Sequence, residues 1–370
     1  MDILWSSGVD VSGYSNCARS YIKALHANPA SNVFINIKNI AANINLEGID
    51  SKELKFLFSR SRNDIKSFKY FVQHSVPDRF VIGDFNVGYT MTEMIPPDRW
   101  SYICNKFDLI MTASEFSKEK MIEGKIKESK IKVVPHCHDI KIWNKNVKPL
   151  KLDNLKDFNF LFIGDYTPRK NGDLLIKAFA KAFAGNKNVS LTIKSYYDSF
   201  SKENQHKLIK RIKEIAYSSG VGVDKIPAIL FYGEPINEST MPKFMQAFDC
   251  LVSPHRCEGW GLNLSQMMFL GKPVIGTNYS GNLQFMNDGN SYLVDILGFE
   301  KVCSEMVKIN PNFKDREWCI VSEEDLIEKM RFVYKNYGEA MKKAEIGYTE
   351  VRKAYCNQII SSRIIEVLSA

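Results

Sequence analysis

A glutamate followed by Gly259, Trp260 and Gly261 stands between an apolar run at 249–254 and an apolar segment at 267–270. The pattern is typical of a buried strand that ends in a tight turn, which then opens a helix. The first turn of a helix has unpaired backbone N–H groups and the positive end of the helix dipole. Glycines on both sides of Trp260 let an anionic group approach that backbone closely. The candidate donor-binding residues of this turn are Gly259, Trp260, Gly261 and Leu262, and the backbone amides of 260–262 are the candidate phosphate ligands.

The glutamate itself, Glu258, lies on the rim of this turn. A carboxylate would repel phosphate, but it accepts hydrogen bonds from hydroxyl groups. Phosphate on the amides and hydroxyls on the carboxylate together describe a nucleotide sugar. The alternative interpretation is an ordinary strand–turn–helix with a solvated glutamate.

A pair of cations, Arg169 and Lys170, follows a second strand-like run at 158–164 and precedes a helical segment. Two adjacent cations at the end of a strand suit a diphosphate leaving group, because they stabilise the negative charge that develops on it. The alternative is an exposed Arg-Lys pair at the start of a helix.

The Glu258 turn resembles the Glu-x7-Glu signature of the retaining, GT-B-fold glycosyltransferases of family 4 (glycosyl transferases group 1), with Gln266 at the second Glu position. The run 271–282 matches the family's next strand and glycine loop. The resemblance implies that Glu258 holds the sugar hydroxyls, Gln266 the ribose and Lys170 the phosphates. Glutamine can donate and accept at a diol, so its contact stays feasible. Asp165 occupies the place of a family arginine, and Arg169 would have to substitute for that arginine.

Three further segments resemble the family. The loop at 8–15 has the glycine spacing of a P-loop, but Tyr14 replaces its lysine, which weakens that interpretation; the resemblance implies that Gly13 faces the diphosphate across a cleft. The segment 88–100 matches one bacterial and viral-type subgroup, and Glu93 is its polar candidate for touching the transferred sugar or acceptor. Otherwise Glu93 is a carboxylate at a helix start. The loop that would read the base through its backbone comprises Tyr232, Gly233, Glu234 and Pro235.

Apolar strand-like runs alternate with helical periodicity along all 370 residues, which predicts an α/β protein with parallel sheets and two domains. The polar stretch at 141–157 is typical of a linker. The resemblance implies a GT-B architecture, with two Rossmann-like domains facing across a cleft and a C-terminal helix that crosses back. We expect an N-terminal, acceptor-side domain at 1–147, completed by the helix at about 350–370. The donor-side domain is expected at 150–345.

Individual strands are expected on either side of this linker. The runs predicted as strands are 3–5, 33–37, 70–72, 80–82, 109–111, 131–134, 158–164, 191–193, 229–231, 250–252, 274–275 and 292–294. A helix at 16–25 is predicted with Ala18, Tyr21, Ile22 and Leu25 on one face. His74 and His136 are more typical of core or loop histidines than of catalytic ones.

Composition predicts a cytoplasmic protein. The eight scattered cysteines form no CxxC pair and fit reduced thiols, no apolar run approaches a membrane span, and the first residues are a strand rather than a signal peptide. The net charge of +8 is partly local, because Lys118–Lys132 contains six lysines against three glutamates. This stretch is a candidate for peripheral contact with an anionic membrane, and a solvated helix face is the alternative. Nucleic acid is not an expected partner.

The sequence therefore predicts a retaining glycosyltransferase that moves a hexose-type sugar from a GDP- or UDP-sugar to a glycan or other hydroxyl acceptor. No Asp-x-Asp motif occurs, so we expect neither metal nor cofactor. The implied front-face reaction lets the leaving diphosphate take the acceptor proton. The catalytic candidates are Glu258, Lys170, Arg169 and Glu93. Two alternatives stay open, a noncatalytic nucleotide-sugar-binding or scaffold protein and a GT-B nucleotide-sugar epimerase.

Overall fold

The chain divides into two compact units in a computed structural model, which describes residues 1–10, 12–37, 49–77, 80–197 and 200–370. Unit 1 consists of Met1–Ile142, Asn237–Ser239 and Arg352–Ala370. Unit 2 consists of Trp143–Ile236 and Thr240–Val351. Val11, inside the first glycine loop, lies outside the described residues.

Fourteen strands are found in the described part of the chain. They are β1 Asp2–Ser7, β2 Asn32–Ile37, β3 Tyr70–His74, β4 Phe85–Tyr89, β5 Leu109–Thr112, β6 Ile131–Val133, β7 Phe158–Asp165, β8 Val189–Tyr196, β9 Ala228–Tyr232, β10 Cys250–Ser253, β11 Val274–Thr277, β12 Tyr292–Val294, β13 Ile296–Lys301 and β14 Glu317–Val321.

Twelve α-helices are found in the same described residues. They are α1 Gly13–His26, α2 Ser51–Ser59, α3 Asp98–Cys104, α4 Glu115–Glu123, α5 Gly172–Ala182, α6 Lys202–Tyr217, α7 Met241–Gln246, α8 Leu262–Phe269, α9 Ser304–Ile309, α10 Glu323–Lys335, α11 Tyr337–Tyr355 and α12 Asn357–Ser369.

Unit 1 is built on a parallel sheet of six strands in the order β2-β1-β3-β4-β5-β6. The predicted apolar face of α1 is confirmed, since Ala18, Tyr21, Ile22 and Leu25 are buried. They pack in one core with strand residues such as Trp5 and with α12. The C-terminal helix therefore belongs to the N-terminal unit, as predicted.

Unit 2 is built on a second parallel sheet of six strands, in the order β12-β11-β10-β7-β8-β9. Its central strands are nearly continuous apolar runs, which is typical of strands covered on both faces. Phe160 and Phe162 of β7 pack against Leu175 and Phe179 of α5. The antiparallel hairpin of β13 and β14 was not predicted. The prediction of an α/β protein with two parallel sheets is confirmed.

The predicted strand at 80–82 is wrong. The strand beside β3 is β4, and 80–82 form no regular element. Val81 makes hydrogen bonds through its N–H and C=O to the side-chain amide of Gln73, at 3.1 and 3.0 Å. Ile82 is 77% exposed. A side chain eight positions earlier in the chain therefore satisfies the Val81 backbone, where local apolarity predicts a strand.

Candidate functional site

The turn at 258–261 opens α8, as the sequence pattern predicts. Gly261 is the residue before the helix, and its φ of +92° lies in the left-handed region, which favours glycine. Its carbonyl accepts hydrogen bonds from Leu264 N–H and Ser265 N–H, at 3.0 and 3.2 Å. The Trp260 side chain points inward, is 2% exposed, and donates from Nε1 to Ser265 Oγ at 3.1 Å. Trp260 thus contributes packing through its buried ring.

Arg169, Lys170 and Glu258 form one ion cluster. Glu258 Oε1 lies 2.5 Å from Lys170 Nζ and 3.0 Å from Arg169 Nη1. The same Arg169 nitrogen donates to the carbonyl of Cys257 at 3.0 Å. All three side chains are at most 14% exposed. The groups assigned from sequence to phosphate and to sugar therefore lie within contact distance of each other.

The charge state of Glu258 follows from this cluster. Burial alone would raise the pKa of its carboxyl group, but Arg169 and Lys170 outweigh burial and lower the pKa to about 2. The carboxylate is therefore ionised throughout the physiological pH range. An ionised carboxylate is the form that accepts hydrogen bonds most strongly.

Asp165, the departure from the family pattern, lies beside the same cluster. Its Oδ1 is 4.0 Å from Arg169 Nη2, and its Oδ2 accepts from Thr167 Oγ1 at 3.1 Å. The guanidinium of Arg169 therefore extends between position 165 and Glu258. The stem of Lys170 passes Gly164, where a Cβ would lie 3.4 Å from it.

A second loop, 280–282, holds the Glu258 turn in place. The sequence resemblance identifies this stretch only as a glycine loop and does not predict its contacts with the turn. Glu258 N–H donates to Ser280 Oγ, and its carbonyl accepts from Gly281 N–H, both at 2.9 Å. Ser280 has a φ of +83°, which is unusual for a residue with a Cβ. A Cβ at Gly281 would overlap the carbonyl of Gly259. The turn and this loop are packed backbone against backbone.

His255 is a residue of this site that the sequence analysis missed. It is fully buried three positions before Glu258, and its Nε2 lies 2.9 Å from Asn282 Oδ1. Burial lowers its pKa, with Glu258 acting in the opposite direction. Asn282 Nδ2 donates to Thr277 O at 2.8 Å, which fixes the side chain that meets the imidazole. The sequence feature that could have identified His255 is its position between the strand β10 and the Glu258 turn.

The remaining residues expected at the donor site lie around the same sheet edge. Gln266 is 5% exposed on α8, eight residues after Glu258. Tyr232 ends β9, with its ring 4.9 Å from that of Phe244. A Cβ at Gly233 would lie 2.7 Å from the Phe231 ring, so this position is tightly packed. Glu234 is exposed and Pro235 half-buried.

In unit 1, Tyr14 joins the two segments that contain Gly13 and Glu93. The Tyr14 hydroxyl accepts from Met91 N–H and donates to Met91 O, both at 3.0 Å. Burial raises the pKa of Tyr14, and the Glu93 carboxylate adds to this effect. Glu93 is half-buried and precedes α3, which begins only at Asp98, so the helix-start alternative is wrong. Gly13 is exposed, and a Cβ there would meet nothing within 4 Å.

Both histidines that the sequence placed in core or loop positions are buried in unit 1. The ring of His74 stacks on Tyr89 at 4.3 Å. His136 Nδ1 lies 2.6 Å from Cys17 Sγ and 2.9 Å from the Tyr21 hydroxyl, and burial lowers its pKa. These contacts fit a structural role.

The lysines of Lys118–Lys132 are divided between local contacts and solvent. Lys120 pairs with Glu123 at 2.6 Å, and Lys130 donates to Asn105 O at 3.0 Å. The exposed members are Lys125, Lys127 and Lys132. In the part of the chain that is described, no helix is long and apolar enough to cross a membrane. Those residues also contain no group of three His, Cys, Asp or Glu side chains able to hold a metal.

The architecture and the site together define the GT-B fold. The solved structure of HepE from Anabaena in complex with UDP and glucose is similar over 100% of this chain and 99% of that one, with a TM-score of 0.68 and 13% identity. At that identity the likeness concerns the fold.

The family model of glycosyl transferases group 1 matches residues 145–296, which include the ion cluster and the α8 turn. An uncharacterized glycosyltransferase of Methanocaldococcus jannaschii is 26% identical over 196 residues, 53% of this chain and 47% of that protein. The alpha-1,3/1,6-mannosyltransferase ALG2 of Dictyostelium discoideum is 29% identical over 159 residues, 40% of this chain and 36% of that protein. The chain thus spans about half, or less, of the length of these relatives.

Proposed function

We propose that this protein is a retaining, metal-independent glycosyltransferase that moves a hexose-type sugar from a nucleoside-diphosphate donor to a hydroxyl group of a glycan or other acceptor. The observation that carries the proposal is the cluster of Arg169, Lys170 and Glu258 beside the amino end of α8. Donor recognition needs cations for the diphosphate and an acceptor group for sugar hydroxyls. This cluster holds both within 3.0 Å.

At the phosphate end, Lys170, Arg169 and the amides of 260–262 would contact the diphosphate. Its oxygens would compete with Glu258 for the two cations. Negative charge grows on the leaving phosphate as the bond to the sugar breaks, so these contacts strengthen in the transition state. We propose that the departing diphosphate takes the acceptor proton, which removes the need for a protein nucleophile.

At the sugar end, Glu258 would accept hydrogen bonds from donor hydroxyls. Its low pKa keeps it charged, and it would also stabilise positive charge on the sugar ring. Gln266 would hold the ribose, and the backbone of Tyr232, Gly233, Glu234 and Pro235 would contact the base. Gly13 and Glu93 of unit 1 remain predictions for diphosphate and acceptor contact.

The comparisons support the substrate class. HepE is solved with UDP and glucose, and ALG2 is named a mannosyltransferase. The UDP- and GDP-sugars expected from the sequence are therefore tested first, with glucose and mannose among the sugars. A glycan or glycoconjugate is the proposed acceptor. Peripheral contact with an anionic membrane through Lys125, Lys127 and Lys132 is a separate proposal.

The deciding experiment begins with thermal-shift titration against UDP-, GDP- and dTDP-sugars. The stabilising donor is then incubated with hydroxyl acceptors, and nucleoside-diphosphate release and product anomer are measured. Release with retained configuration supports the proposal. Binding without transfer or hydrolysis would identify a noncatalytic binding protein, and conversion of the donor sugar without acceptor would identify an epimerase.

A further inference from the structure

A lysine outside every sequence motif lies at the edge of the unit 2 sheet. Lys194 is near the end of β8, where it is paired with Ile163 of β7 on one side and Tyr232 of β9 on the other. It is only 6% exposed. In open α/β sheets, ligands bind outside the carboxyl ends of the parallel strands, which is where Lys194 lies.

Few contacts among the described residues offset the free-energy cost of burying the charged Lys194 ammonium. Nζ donates to Glu234 O at 2.9 Å and lies 5.4 Å from the centre of the Tyr232 ring. Within the described ranges, no carboxylate lies within 4.0 Å of it. Burial lowers its pKa to about 8, and the Glu234 carboxylate acts in the opposite direction. Lysine carries three N–H donors, and the described residues accept from one.

Among the described residues, the two contacts of the Lys194 ammonium are with the loop 232–235, which is the proposed base-binding loop. A buried charge with spare donors is costly unless an acceptor meets it. A nucleobase on this loop would supply one, provided that its edge carries a carbonyl oxygen. An exocyclic amino group in the same place would itself be a donor and would repel the ammonium.

We propose that Lys194 selects donors whose base carries a carbonyl, as uracil and hypoxanthine do, over donors with an amino group at the same position, as in cytosine and adenine. The inference rests on the proposed nucleotide-sugar function and specifies its donor class. Lys194 then acts as a specificity-determining residue, and the Tyr232–Pro235 backbone positions the base against it.

Two matched nucleotide pairs test this proposal. UDP and CDP differ at the C4 carbonyl or amino group, and IDP and ADP differ in the same way at C6. The unmodified protein should bind at least one of these pairs, which isothermal titration measures. Within that pair, it should bind the nucleotide with the carbonyl at least about tenfold more tightly than the one with the amino group, because the charged Lys194 donor meets an acceptor there. Lys194→Met should bring that ratio close to one.

Lys272→Met is the control, because Lys272 is also partly buried, with its pKa lowered by burial and opposed by Asp249, but it precedes β11 at the opposite edge of the sheet. It should keep the nucleotide ratio. Equal binding of both nucleotides by the unmodified protein would overturn the inference. Equal weakening of both by Lys194→Met would also overturn it and would show that Lys194 only holds the loop 232–235 in place. Failure of these four nucleotides, and of GDP and dTDP, to bind would instead overturn the proposed function.

Discussion

Lys170 Nζ lies 2.5 Å from Glu258 Oε1, although the two residues are 88 positions apart in the chain. This contact links the two strand-to-helix turns at the edge of the unit 2 sheet. The same carboxylate oxygen is 3.0 Å from Arg169 Nη1. Any substitution at one member of this cluster therefore changes the electrostatic environment of the other two.

Lys170→Met should lower turnover by roughly two decades, because loss of one contact to a developing charge costs about 3 kcal/mol. Donor affinity should fall less. Lys181→Met on α5 is the matched control, since its ammonium is 42% exposed and, among the described residues, its ion pair is with Glu323. Arg169→Ala should match Lys170→Met only if Arg169 replaces the family arginine. A folded Lys170→Met protein with unchanged kcat would contradict the phosphate contact.

Glu258→Gln should reduce kcat more than it reduces donor affinity, because the amide keeps the shape but loses the charge. Gln266→Glu should leave the enzyme active and change mainly donor binding, since this residue is expected to face only the ribose. Donor titration and initial rates measure both effects. Normal turnover in Glu258→Gln together with an inactive Gln266→Glu would refute the two assignments.

Acid should weaken the fold through Glu258. Its folded pKa of about 2 lies below its ordinary value, so its stabilisation is complete above pH of about 4.5 and is lost as pH falls toward 2. The contribution at neutral pH is up to about 3 kcal/mol. Thermal melting from pH 6 to pH 3 should therefore show the difference between the unmodified protein and Glu258→Gln shrinking. A constant difference across this range would show that Glu258 is not held by the two cations.

Gly281→Ala should destabilise unit 2 and weaken donor binding, because the new Cβ would overlap the Gly259 carbonyl in the turn that carries Glu258. Gly338→Ala is the matched control within unit 2. Gly338 lies in α11 with open space around a Cβ, so alanine should stabilise by up to about 1 kcal/mol. Denaturant unfolding distinguishes the two, and equal effects would show that the 280–282 loop does not support the turn.

Excess EDTA should leave turnover close to its value with magnesium, since cations and helix amides are proposed to neutralise the diphosphate. Initial rates with EDTA, magnesium and manganese measure this. Activity that collapses with EDTA and returns with manganese would contradict metal independence.

Local sequence patterns predict most of the helices and strands. The spacing of Ala18, Tyr21, Ile22 and Leu25 predicts the buried face of α1, because helical periodicity depends only on nearby residues. The strand at 80–82 was wrong because the amide of Gln73 satisfies the Val81 backbone. Such a partner leaves no trace in the residues around Val81.

The sequence predicts one donor site that contains both the cation pair and Glu258, but it does not predict the direct ion pairs between them. Arg169, Lys170 and Glu258 were each identified beside a strand end, but their contact depends on the order of strands β7 and β10 in the sheet. His255 and Lys194 were missed because a polar residue near a strand end gives no sign of whether it is buried. Only the fold determines that burial.

Unit 1 is assembled from three separate stretches of chain. Its core contains Ile3 and Trp5 together with Ile360, Ile364 and Leu368. During synthesis, the core of unit 1 therefore cannot be complete until α12 leaves the ribosome, after all of unit 2 has been made. The boundary between the units at Ile142 and Trp143 is consequently a poor place to divide the gene, because a fragment ending there would expose the apolar surface that α12 covers. Unit 2, whose sheet is continuous in sequence from β7 to β12, can begin folding earlier.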